Sequence, residues 1–426
     1  MRYDAIIIGA GAAGLAAARS LSGAGKRVCI LEARQRIGGR ILSLHFPDLP
    51  HPVELGAEFI HGEGASTFSI VDAAALTAAE LPDDHWWSDG ADWERLDNFW
   101  RDLDRIRGKI PARGDDLSFA EFLRSRKELT ARERQLACNF VEGYHASHAE
   151  RISAQALRAS DSEQSEETPG GNRQFRLAQG QDSIIAWLRA GLDPARTDLR
   201  LGTVATRVQW SPNKVEVECR SGVTEKLRAN ALILTVPIGV WKAGAIEFDP
   251  PLREKANALA HIEAGHVVKM AFRFRERFWD KEGPINFLHS DDRFMPTWWT
   301  PAPFRSPILI GWAGGAAADA LLAEGEDALR DRALDAFARA WLLPRREVDS
   351  LLVTTYTHDW QRDPYSRCAY SYAAVGGRNA AASLAKPLKK TLFFAGEATS
   401  SDETGTVAGA MESGTRAARE LLRSLS

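Results

Sequence analysis

The first forty residues contain the pattern that most constrains how this chain folds. An apolar run of strand length ends at Ile8, and the glycine turn GAGAAG, residues 9–14, leads into an alanine-rich stretch of helical character. In such a unit Gly9 allows the tight turn, Gly11 lets a pyrophosphate approach the backbone, and Gly14 lets the helix pack on the strand. The helix N-terminus offers unpaired N–H groups to the phosphates. The sequence therefore predicts a dinucleotide-binding α/β unit.

Charged residues that follow the second strand extend this prediction. The strand from Arg27 to Leu31 ends in Glu32, whose carboxylate is placed to accept hydrogen bonds from a ribose hydroxyl pair. That acid disfavours a 2′-phosphate and hence NADP. Arg40 follows a second glycine turn and is able to neutralise the same pyrophosphate, the alternative being a solvated surface charge.

Composition narrows the class of protein. The 426 residues suggest two or three domains, and a net charge of −3 leaves no global field that attracts nucleic acid or an anionic membrane. Because the first strand begins at Tyr3 and no stretch has the length of a membrane span, we expect a cytoplasmic enzyme without a nucleic-acid or membrane partner. The four cysteines show no CxxC pair, so we expect reduced thiols and no metal site.

Periodicity and turn residues indicate the elements along the rest of the chain. These are a helical region from Asp92 to Leu157, a loop from Ser160 to Asn172, short strands between Asp198 and Asp249, a half-buried strand within residues 266–279, a strand at 391–394 before a glycine turn, and a terminal helix from Thr406 to Leu422.

Several blocks of the chain resemble the flavin-dependent amine oxidase family, which includes monoamine, polyamine and L-amino acid oxidases and lysine-specific histone demethylases. They are the GGR turn after Glu32, VELGAEFIHG at 53–62, the region around Lys269, residues 360–377, and FAGEATSSDETGTVAGAMESG at 394–414. The second and last blocks are most similar to polyamine oxidases. The resemblance implies FAD, hydride transfer from the carbon next to an amine nitrogen, imine hydrolysis, and reoxidation by O2 to give hydrogen peroxide.

The resemblance also implies an α/β fold in two discontinuous parts. A Rossmann-like, three-layer FAD-binding domain with a parallel sheet is expected from residues 1–80, 191–250 and 376–426. An α+β substrate domain is expected from residues 81–190, which carry the helical insertion, and 251–375. The oligomeric state is not predicted.

Residues carried over from the family are expected at the cofactor, in catalysis and at the substrate. Those expected at the cofactor are Gly9, Gly11, Gly14, Glu32, Ala33, Arg34, Gly38, Gly39, Arg40, Gly56, Ala57, Glu58, Val204, Gly396, Glu397, Thr406 and Val407. The catalytic residues are Lys269, which assists the reaction with oxygen, Tyr370, which flanks the substrate nitrogen, and Trp360. Alternatives are a solvated strand face for Lys269 and a helix-start carboxylate for Glu397.

Two departures from monoamine oxidases bear on cofactor and substrate. Ala369 stands where those enzymes have a flavin-linking cysteine, and Cys368 is one place out of register, so FAD is expected to be non-covalent. Thr406 stands where they have a second tyrosine. With Glu58 and His61 placed to meet a second nitrogen, the expected substrate-binding residues are Glu58, His61 and Thr406, and the expected substrate is a polyamine or a secondary amine.

Weaker candidates and other functions remain open at this point. Glu63 is a possible second acid with an ordinary surface role as its alternative, and candidate cavity walls are Glu142, Trp86, Trp87, Trp298 and Trp299. The alternative functions are an L-amino acid or monoamine oxidase, a flavin dehydrogenase or desaturase-like relative, and a non-redox binding protein of the same fold.

Overall fold

The computed structural model describes residues 2–161, 173–282 and 285–425, which form 22 strands and 14 α-helices. The strands are β1 Arg2–Ile8, β2 Val28–Leu31, β3 Ser43–Leu44, β4 Val53–Glu54, β5 Ile60–His61, β6 Ala78–Glu80, β7 His85–Ser88, β8 Trp93–Arg95, β9 Gln174–Leu177, β10 Thr197–Arg200, β11 Val204–Ser211, β12 Lys214–Ser221, β13 Val223–Leu234, β14 Glu247–Asp249, β15 Ile262–Ala264, β16 Val267–Phe274, β17 Phe287–Ser290, β18 Thr297–Trp299, β19 Ile308–Gly314, β20 Leu352–Thr357, β21 Ser371–Ala373 and β22 Leu392–Phe394. The helices are α1 Ala12–Gly23, α2 Ala65–Ala73, α3 Phe99–Arg107, α4 Phe119–Ser125, α5 Ala131–His145, α6 Ala154–Asp161, α7 Asp182–Ala190, α8 Ile238–Lys242, α9 Ala256–Ala260, α10 Gly315–Ala323, α11 Glu326–Ala340, α12 Arg345–Leu351, α13 Ala380–Ala385 and α14 Val407–Leu425.

A parallel sheet forms the centre of the first half of the molecule. Its strands lie in the order β10, β2, β1, β13 and β22, with Ile6 paired to Cys29 on one side and to Leu232 on the other. Helices α1, α7 and α14 cover one face, where Ile7 is buried, while Ile6 packs on the other face against the meander of β11, β12 and β13. Burial on both faces explains why β1 is a continuous apolar run. The predicted α/β fold is confirmed.

The carboxyl ends of these parallel strands meet at one edge of the sheet. β1 ends next to Gly9, β2 next to Glu32, β13 next to Thr235, and β22 leads into Gly396. Ligands of open α/β sheets bind at this edge. The topology therefore brings together residues that are separated by hundreds of positions in the sequence.

A second, seven-stranded sheet has the order β20, β16, β19, β18, β17, β7 and β8. Helices α10, α11 and α12 pack on one face through a core that includes Phe272 and Phe337. The opposite face of β16 carries Lys269 and Ala271, which are also buried. The expectation of a half-buried strand is therefore wrong, because the second face of β16 is covered as well.

The helical region is confirmed in part. α4 and α5 each begin with a capping box, in which Ser118 pairs with Glu121 and Thr130 with Glu133. However, Trp93–Arg95 forms strand β8, because it pairs with β7 at the edge of the second sheet. The loop expected from Ser160 begins inside α6, and its residues 162–172 lie outside the described residues.

Two bulk expectations can be compared with the structure. None of the helices in the described ranges is both long enough and apolar enough to cross a lipid bilayer. All four cysteines are free thiols, and Cys29, Cys219 and Cys368 are buried.

Candidate active site

A cavity of about 620 Å³ extends from the carboxyl ends of the parallel strands to the second sheet and α5. Gly9 and Glu32 line it at one end, and Phe140 and His289 line it at the other. We call these the nucleotide end and the aromatic end. Every residue expected at the cofactor or in catalysis lines this cavity except Gly14.

The first glycine turn shows why each glycine stands where it does. Gly9 has φ +108°, a conformation that favours glycine, and a Cβ on Gly14 would lie 1.9 Å from the Gly9 carbonyl oxygen. Gly14 therefore lies at the contact of helix and strand, as predicted for its packing role, and does not line the cavity with the other residues expected at the cofactor. A Cβ on Gly11 would meet nothing nearer than Gly39 Cα at 3.9 Å. The space that Gly11 leaves open belongs to the cavity.

The start of α1 has the chemistry of a phosphate site. No side chain caps the helix at Gly11, and its first turn contains no acidic residue. Ala12 and Ala13 line the cavity at this point. Uncapped N–H groups at a helix N-terminus attract an anion, so the residues present fit the diphosphate of a dinucleotide.

Glu32 is buried beside this turn and is held by the backbone. Its Oε2 accepts a hydrogen bond from the Ala10 N–H at 2.8 Å, and its Oε1 accepts one from the Arg34 N–H at 2.9 Å. The guanidinium of Arg34 donates to Asp363 at 2.7 Å. The carboxylate of Glu32 is thus fixed in place, and each of its oxygens retains capacity to accept from a ribose hydroxyl.

Arg40 and Glu397 form an ion pair at the cavity wall. The Arg40 guanidinium donates to Glu397 Oε1 at 3.0 Å and to the Ala369 carbonyl at 2.6 Å. Glu397 Oε2 accepts from the hydroxyl of Ser371 at 2.6 Å. Arg40 is therefore not a solvated surface charge, and Glu397 does more than complement a helix start.

Lys269, Glu58 and Arg176 form a buried charge cluster in the cavity wall. Lys269 Nζ lies 2.7 Å from Glu58 Oε2 and donates to the Gly56 carbonyl at 3.0 Å. Arg176 Nε and the indole N–H of Trp299 both donate to Glu58 Oε1, at 2.9 and 3.1 Å. Since Lys269 is 3% exposed, the alternative of a solvated strand face is wrong.

The cluster carries two cations and one anion. Burial alone would raise the pKa of Glu58, but the charges of Lys269 and Arg176 lower it to about 2. Oε1 already accepts two hydrogen bonds and Oε2 faces the Lys269 ammonium, so the charge of Glu58 is balanced before a substrate ammonium arrives. The expectation that Glu58 meets a second nitrogen is thus not supported by its geometry.

Tyr370 and Trp360 line the cavity with their polar atoms already engaged. The Tyr370 hydroxyl donates to the Tyr144 carbonyl at 2.8 Å, and the Trp360 indole donates to the Leu55 carbonyl at 2.9 Å. Burial raises the pKa of Tyr370. Both side chains therefore offer aromatic surface rather than proton transfer, and Gly405 lies against the Tyr370 ring.

Thr406 and Ala369 have separate structural environments. The Thr406 hydroxyl accepts from the Gly409 N–H at 2.9 Å and donates to the Glu403 carbonyl at 2.9 Å, so it caps the start of α14. Its hydrogen bonds are local, which does not support a direct substrate contact through the hydroxyl. Ala369 lines the cavity, whereas Cys368 is buried in a separate apolar cluster.

The aromatic end contains two neutral histidines on neighbouring walls. His61 Nδ1 lies 3.2 Å from the Tyr144 hydroxyl, and burial lowers the pKa of His61 to about 4. Burial, with Arg107 and His61 nearby, lowers the pKa of His145 to about 3. Rings that line this end also come from Phe59, Phe140, Phe287, Trp299 and Trp312.

The weaker candidates divide clearly. Trp299 lines the cavity, but Trp86, Trp87 and Trp298 lie outside it. Trp298 is buried in the core of the second sheet, and Trp86 packs against that core. Glu142 accepts from the Ala149 N–H at 3.0 Å and also lies outside the cavity. Glu63 pairs with Arg173 at the surface.

Sequence reasoning missed Arg176, Tyr144, His85 and His289, all of which bear on the cavity or its charge cluster. Arg176 stands between two buried apolar residues of β9. An arginine inside such a strand indicates a buried ion pair, since arginine is rarely buried without a partner. The other three residues carry no comparable local pattern.

Comparison with known proteins gives a consistent result. A family model described as flavin containing amine oxidoreductase matches residues 12–422. Polyamine oxidase 2 of Arabidopsis thaliana is 28% identical, with 97% of this chain and 87% of that protein covered. Polyamine oxidase 3 of Oryza sativa subsp. japonica is 30% identical, with 98% and 88% covered. The solved structure of cyclohexylamine oxidase from Brevibacterium oxydans has the same fold, with a TM-score of 0.83, 21% identity and 100% of both chains covered.

Proposed function

This chain belongs to the family of flavin-containing amine oxidoreductases, and from that premise we propose that it holds FAD non-covalently and oxidises an amine with apolar substituents, preferably a secondary one. Membership makes it a flavin-dependent enzyme that oxidises amines. The observation that carries the proposal is one cavity lined by glycine turns at one end, by aromatic rings at the other, and by the Lys269 charge cluster.

The cofactor proposal rests on the nucleotide end. The uncapped start of α1 would hold the diphosphate, and Glu32 would accept from the ribose hydroxyls. Gly38, Gly39, Gly56, Ala57, Val204, Gly396 and Val407 would approach the cofactor along the same cavity. Because Ala369 has no linking atom and Cys368 does not line the cavity, covalent attachment at these two positions is not expected.

A flavin held along this cavity would supply the acceptor for a hydride from the carbon next to the amine nitrogen and would hand the electrons on to oxygen. Lys269 supplies a fixed positive charge that stabilises negative charge developing on oxygen as it is reduced. Tyr370 supplies an aromatic face that guides the substrate and tolerates residual positive charge on it. The surrounding rings exclude water, which strengthens both electrostatic effects.

The substrate proposal rests on the charges in the cavity wall. Of the acids that line the cavity, Glu32, Glu58 and Glu397 are held by the partners described above, and Asp402 is exposed on the loop before α14. The described aromatic end thus presents rings and neutral histidines, beside a cluster with one excess positive charge. A second ammonium gains little there, which favours an amine with a single nitrogen and apolar substituents, such as the secondary amine expected from the sequence.

A polyamine is the second candidate. It is supported by the names of the plant relatives, 28% and 30% identical over nearly the whole chain. The expected hydrogen peroxide product, the cytoplasmic location and the five-segment domain division also stay predictions, drawn from the sequence.

Two measurements test the proposal. The purified protein should be yellow, and acid precipitation should release all of its flavin as FAD; flavin that stays with the precipitate would contradict non-covalent binding. A peroxide assay should give a higher kcat/KM for N-methylated aliphatic or benzylic amines than for spermidine or N-acetylspermine. The reverse order would favour the polyamine candidate, and no activity with any amine would contradict the function.

A further inference from the structure

The proposed function raises the question of where a proton goes. An amine reaches the cavity mainly as an ammonium ion near neutral pH, but only the neutral amine has the lone pair that assists hydride departure. One proton must therefore leave the nitrogen inside a cavity walled by aromatic rings. The inference below rests on that function.

Several cavity residues are poorly suited to pass this proton on. Glu58 is held ionised by two cations, and burial disfavours ionisation of Tyr370. His145 Nε2 has no hydrogen-bond partner in the part of the chain that the structure describes. Such groups offer no path by which a proton could continue to solvent.

His289 differs because it begins a chain of contacts that reaches the surface. It lines the cavity from β17, and its Nε2 lies 3.0 Å from Nδ1 of His85 on β7. His85 Nε2 lies 3.1 Å from Oδ1 of Asp83. Both histidines are buried, at 8% and 6% exposure, whereas the Asp83 side chain is 69% exposed.

The chemistry of the three groups fixes where the hydrogens are. An ionised carboxylate can only accept hydrogen bonds, so the proton of His85 lies on Nε2, which donates a hydrogen bond to Asp83. Neutral His85 then has a bare Nδ1, which accepts from the Nε2–H of His289. His289 is left with an unprotonated Nδ1, and no described residue donates to that atom. The chain is therefore polarised, with its accepting end at the cavity.

Ring packing holds this arrangement in place. The His85 ring stacks with Phe99, at a centroid distance of 3.9 Å, and with Phe287, at 4.9 Å. His289 stacks on the same Phe99 at 4.9 Å. At the outer end, the Trp100 indole donates to Asp83 at 2.8 Å. These ring contacts fix both the nitrogen–nitrogen contact between the histidines and the nitrogen–oxygen contact between His85 and Asp83.

We propose that Asp83, His85 and His289 form a proton relay that carries the proton of the substrate ammonium from the cavity to solvent. His289 Nδ1 accepts the proton while its Nε2 proton passes to His85 Nδ1. The Nε2 proton of His85 passes to Asp83, which releases it at the surface. Each imidazole gains one proton and loses one, so the relay ends neutral with its hydrogens on the opposite nitrogens, and ring rotation or return of a proton resets it.

The charges that face the relay favour this direction. The carboxylates of Asp83 and Asp84 lie at the outer end, and Asp84 is itself paired with Arg95 at 3.3 Å. Burial keeps both histidines neutral at rest, since it lowers the pKa of each. A proton that enters at His289 therefore moves toward negative charge and toward water.

The test compares variants in anaerobic flavin reduction at two pH values. H85F keeps the stacked ring but breaks the relay, D83N removes only the terminal charge, and D97N is the control, a nearby acid 74% exposed that pairs with Arg95. Near neutral pH, H85F should slow reduction about tenfold or more, D83N should slow it less, and D97N should leave it unchanged. Above the pKa of the amine, where the substrate enters neutral, H85F should return to within about twofold of the wild type.

A structural defect would behave differently. Equal slowing of H85F at both pH values, or no slowing near neutral pH, would overturn the relay. A second readout is independent of turnover: ¹⁵N NMR of the histidines, assigned with H289N and H85F, should show both rings protonated at Nε2. A proton on His289 Nδ1 at rest would also overturn it.

Failure of the relay and failure of the proposed function are distinguishable. If no amine reduces the wild-type flavin, the function is wrong, whereas normal reduction in both the wild type and H85F contradicts the relay alone. The NMR result concerns the protein without substrate and stands in either case.

Discussion

The two ends of the cavity are built in different ways. At the nucleotide end, Gly9, Glu32 and Gly396 each follow a parallel strand directly or within one residue, and Glu32 accepts from the N–H groups of Arg34, two residues on, and of Ala10 in the first glycine turn. At the aromatic end, His61, Tyr144 and His289 lie on β5, α5 and β17, which are far apart in sequence. Each part of the first end carries its own strand–turn pattern in the sequence, although the sheet brings these parts together, whereas the second end rests on tertiary contacts alone.

The charges differ as well. The nucleotide end holds its ions through backbone N–H groups and matched pairs such as Arg40 with Glu397. The described aromatic end is neutral, and beside it stands a cluster whose cations outnumber its acid. A dinucleotide needs fixed donors and acceptors, whereas an apolar amine needs a dry surface. The contrast is thus a contrast of ligands, and each prediction below tests one side of it.

The largest effect is expected from Gly14→Ala, which adds a methyl group 1.9 Å from the Gly9 carbonyl oxygen. Neither α1 nor β1 can move without disturbing the sheet, so we expect a loss of about 4 kcal/mol or more, large for a single substitution. Urea unfolding of the flavin-free protein measures it.

Gly11→Ala is the matched control at the same turn. Gly11 has φ −77°, which alanine adopts, and its Cβ would meet nothing within 3.9 Å. Stability without flavin should change by less than about 1 kcal/mol, while FAD affinity should fall because the methyl group enters the cavity. Equal destabilisation by both substitutions would remove the distinction between a packing glycine and a cofactor glycine.

Glu58→Gln tests the charge cluster. The substitution leaves Lys269 and Arg176 buried without their anion, and breaking such a cluster costs about 3 kcal/mol. The pKa of Glu58 is lowered to about 2 in the folded protein, from an ordinary value near 4.5. The ionised carboxylate should therefore stabilise the folded protein above about pH 4.5, and this stabilisation should be lost as the pH falls toward 2.

Urea unfolding of both proteins over this pH range measures that loss. The difference in unfolding free energy between wild type and Glu58→Gln should shrink as the pH falls from about 5 toward 2. A difference that grows on acidification would mean that the carboxyl is protonated in the folded protein. A large gain in polyamine oxidation would show that the excess positive charge does not set substrate preference.

Lys269→Met removes the charge while keeping the length of the side chain. Reaction of the reduced enzyme with oxygen should slow by more than about tenfold, whereas anaerobic reduction by substrate should change modestly. Stopped-flow measurement of both half-reactions separates them. Arg273→Met is the control, since Arg273 lies on the same strand but pairs with Asp48 near the surface. Equal oxygen rates in the wild type and Lys269→Met would contradict the role of the lysine.

Sequence reasoning succeeded where structure is local. The GAGAAG turn, Glu32 and the GGR turn predict a parallel sheet with ligands at its carboxyl edge, because strand, turn and helix adjoin in the chain. The sequence predicts a terminal helix from Thr406, and the structure begins it at Val407, with Thr406 as its cap.

The rest depended on contacts that no local pattern encodes. Glu58 looks like an available acid until Arg176 and Lys269, 118 and 211 residues away, are placed beside it. His85 and His289 are separated by 204 positions and meet only because β7 and β17 pair in parallel. Burial of β16 on both faces likewise follows from tertiary packing, since Arg273 and Arg275 suggest an exposed face.

The smallest effect is expected from Glu63→Gln, five residues from Glu58. Glu63 pairs with Arg173, but the two side chains are 37% and 46% exposed, so solvent screens their attraction. Stability should change by less than about 0.5 kcal/mol, and kcat/KM should not change for either monoamines or polyamines. The comparison with Glu58→Gln isolates burial, because the same chemical change is made in the same segment. If Glu63→Gln instead lowered kcat/KM for polyamines alone, a second substrate nitrogen would be recognised at the surface rather than in the aromatic end. The proposed preference for an amine without a second nitrogen would then be wrong.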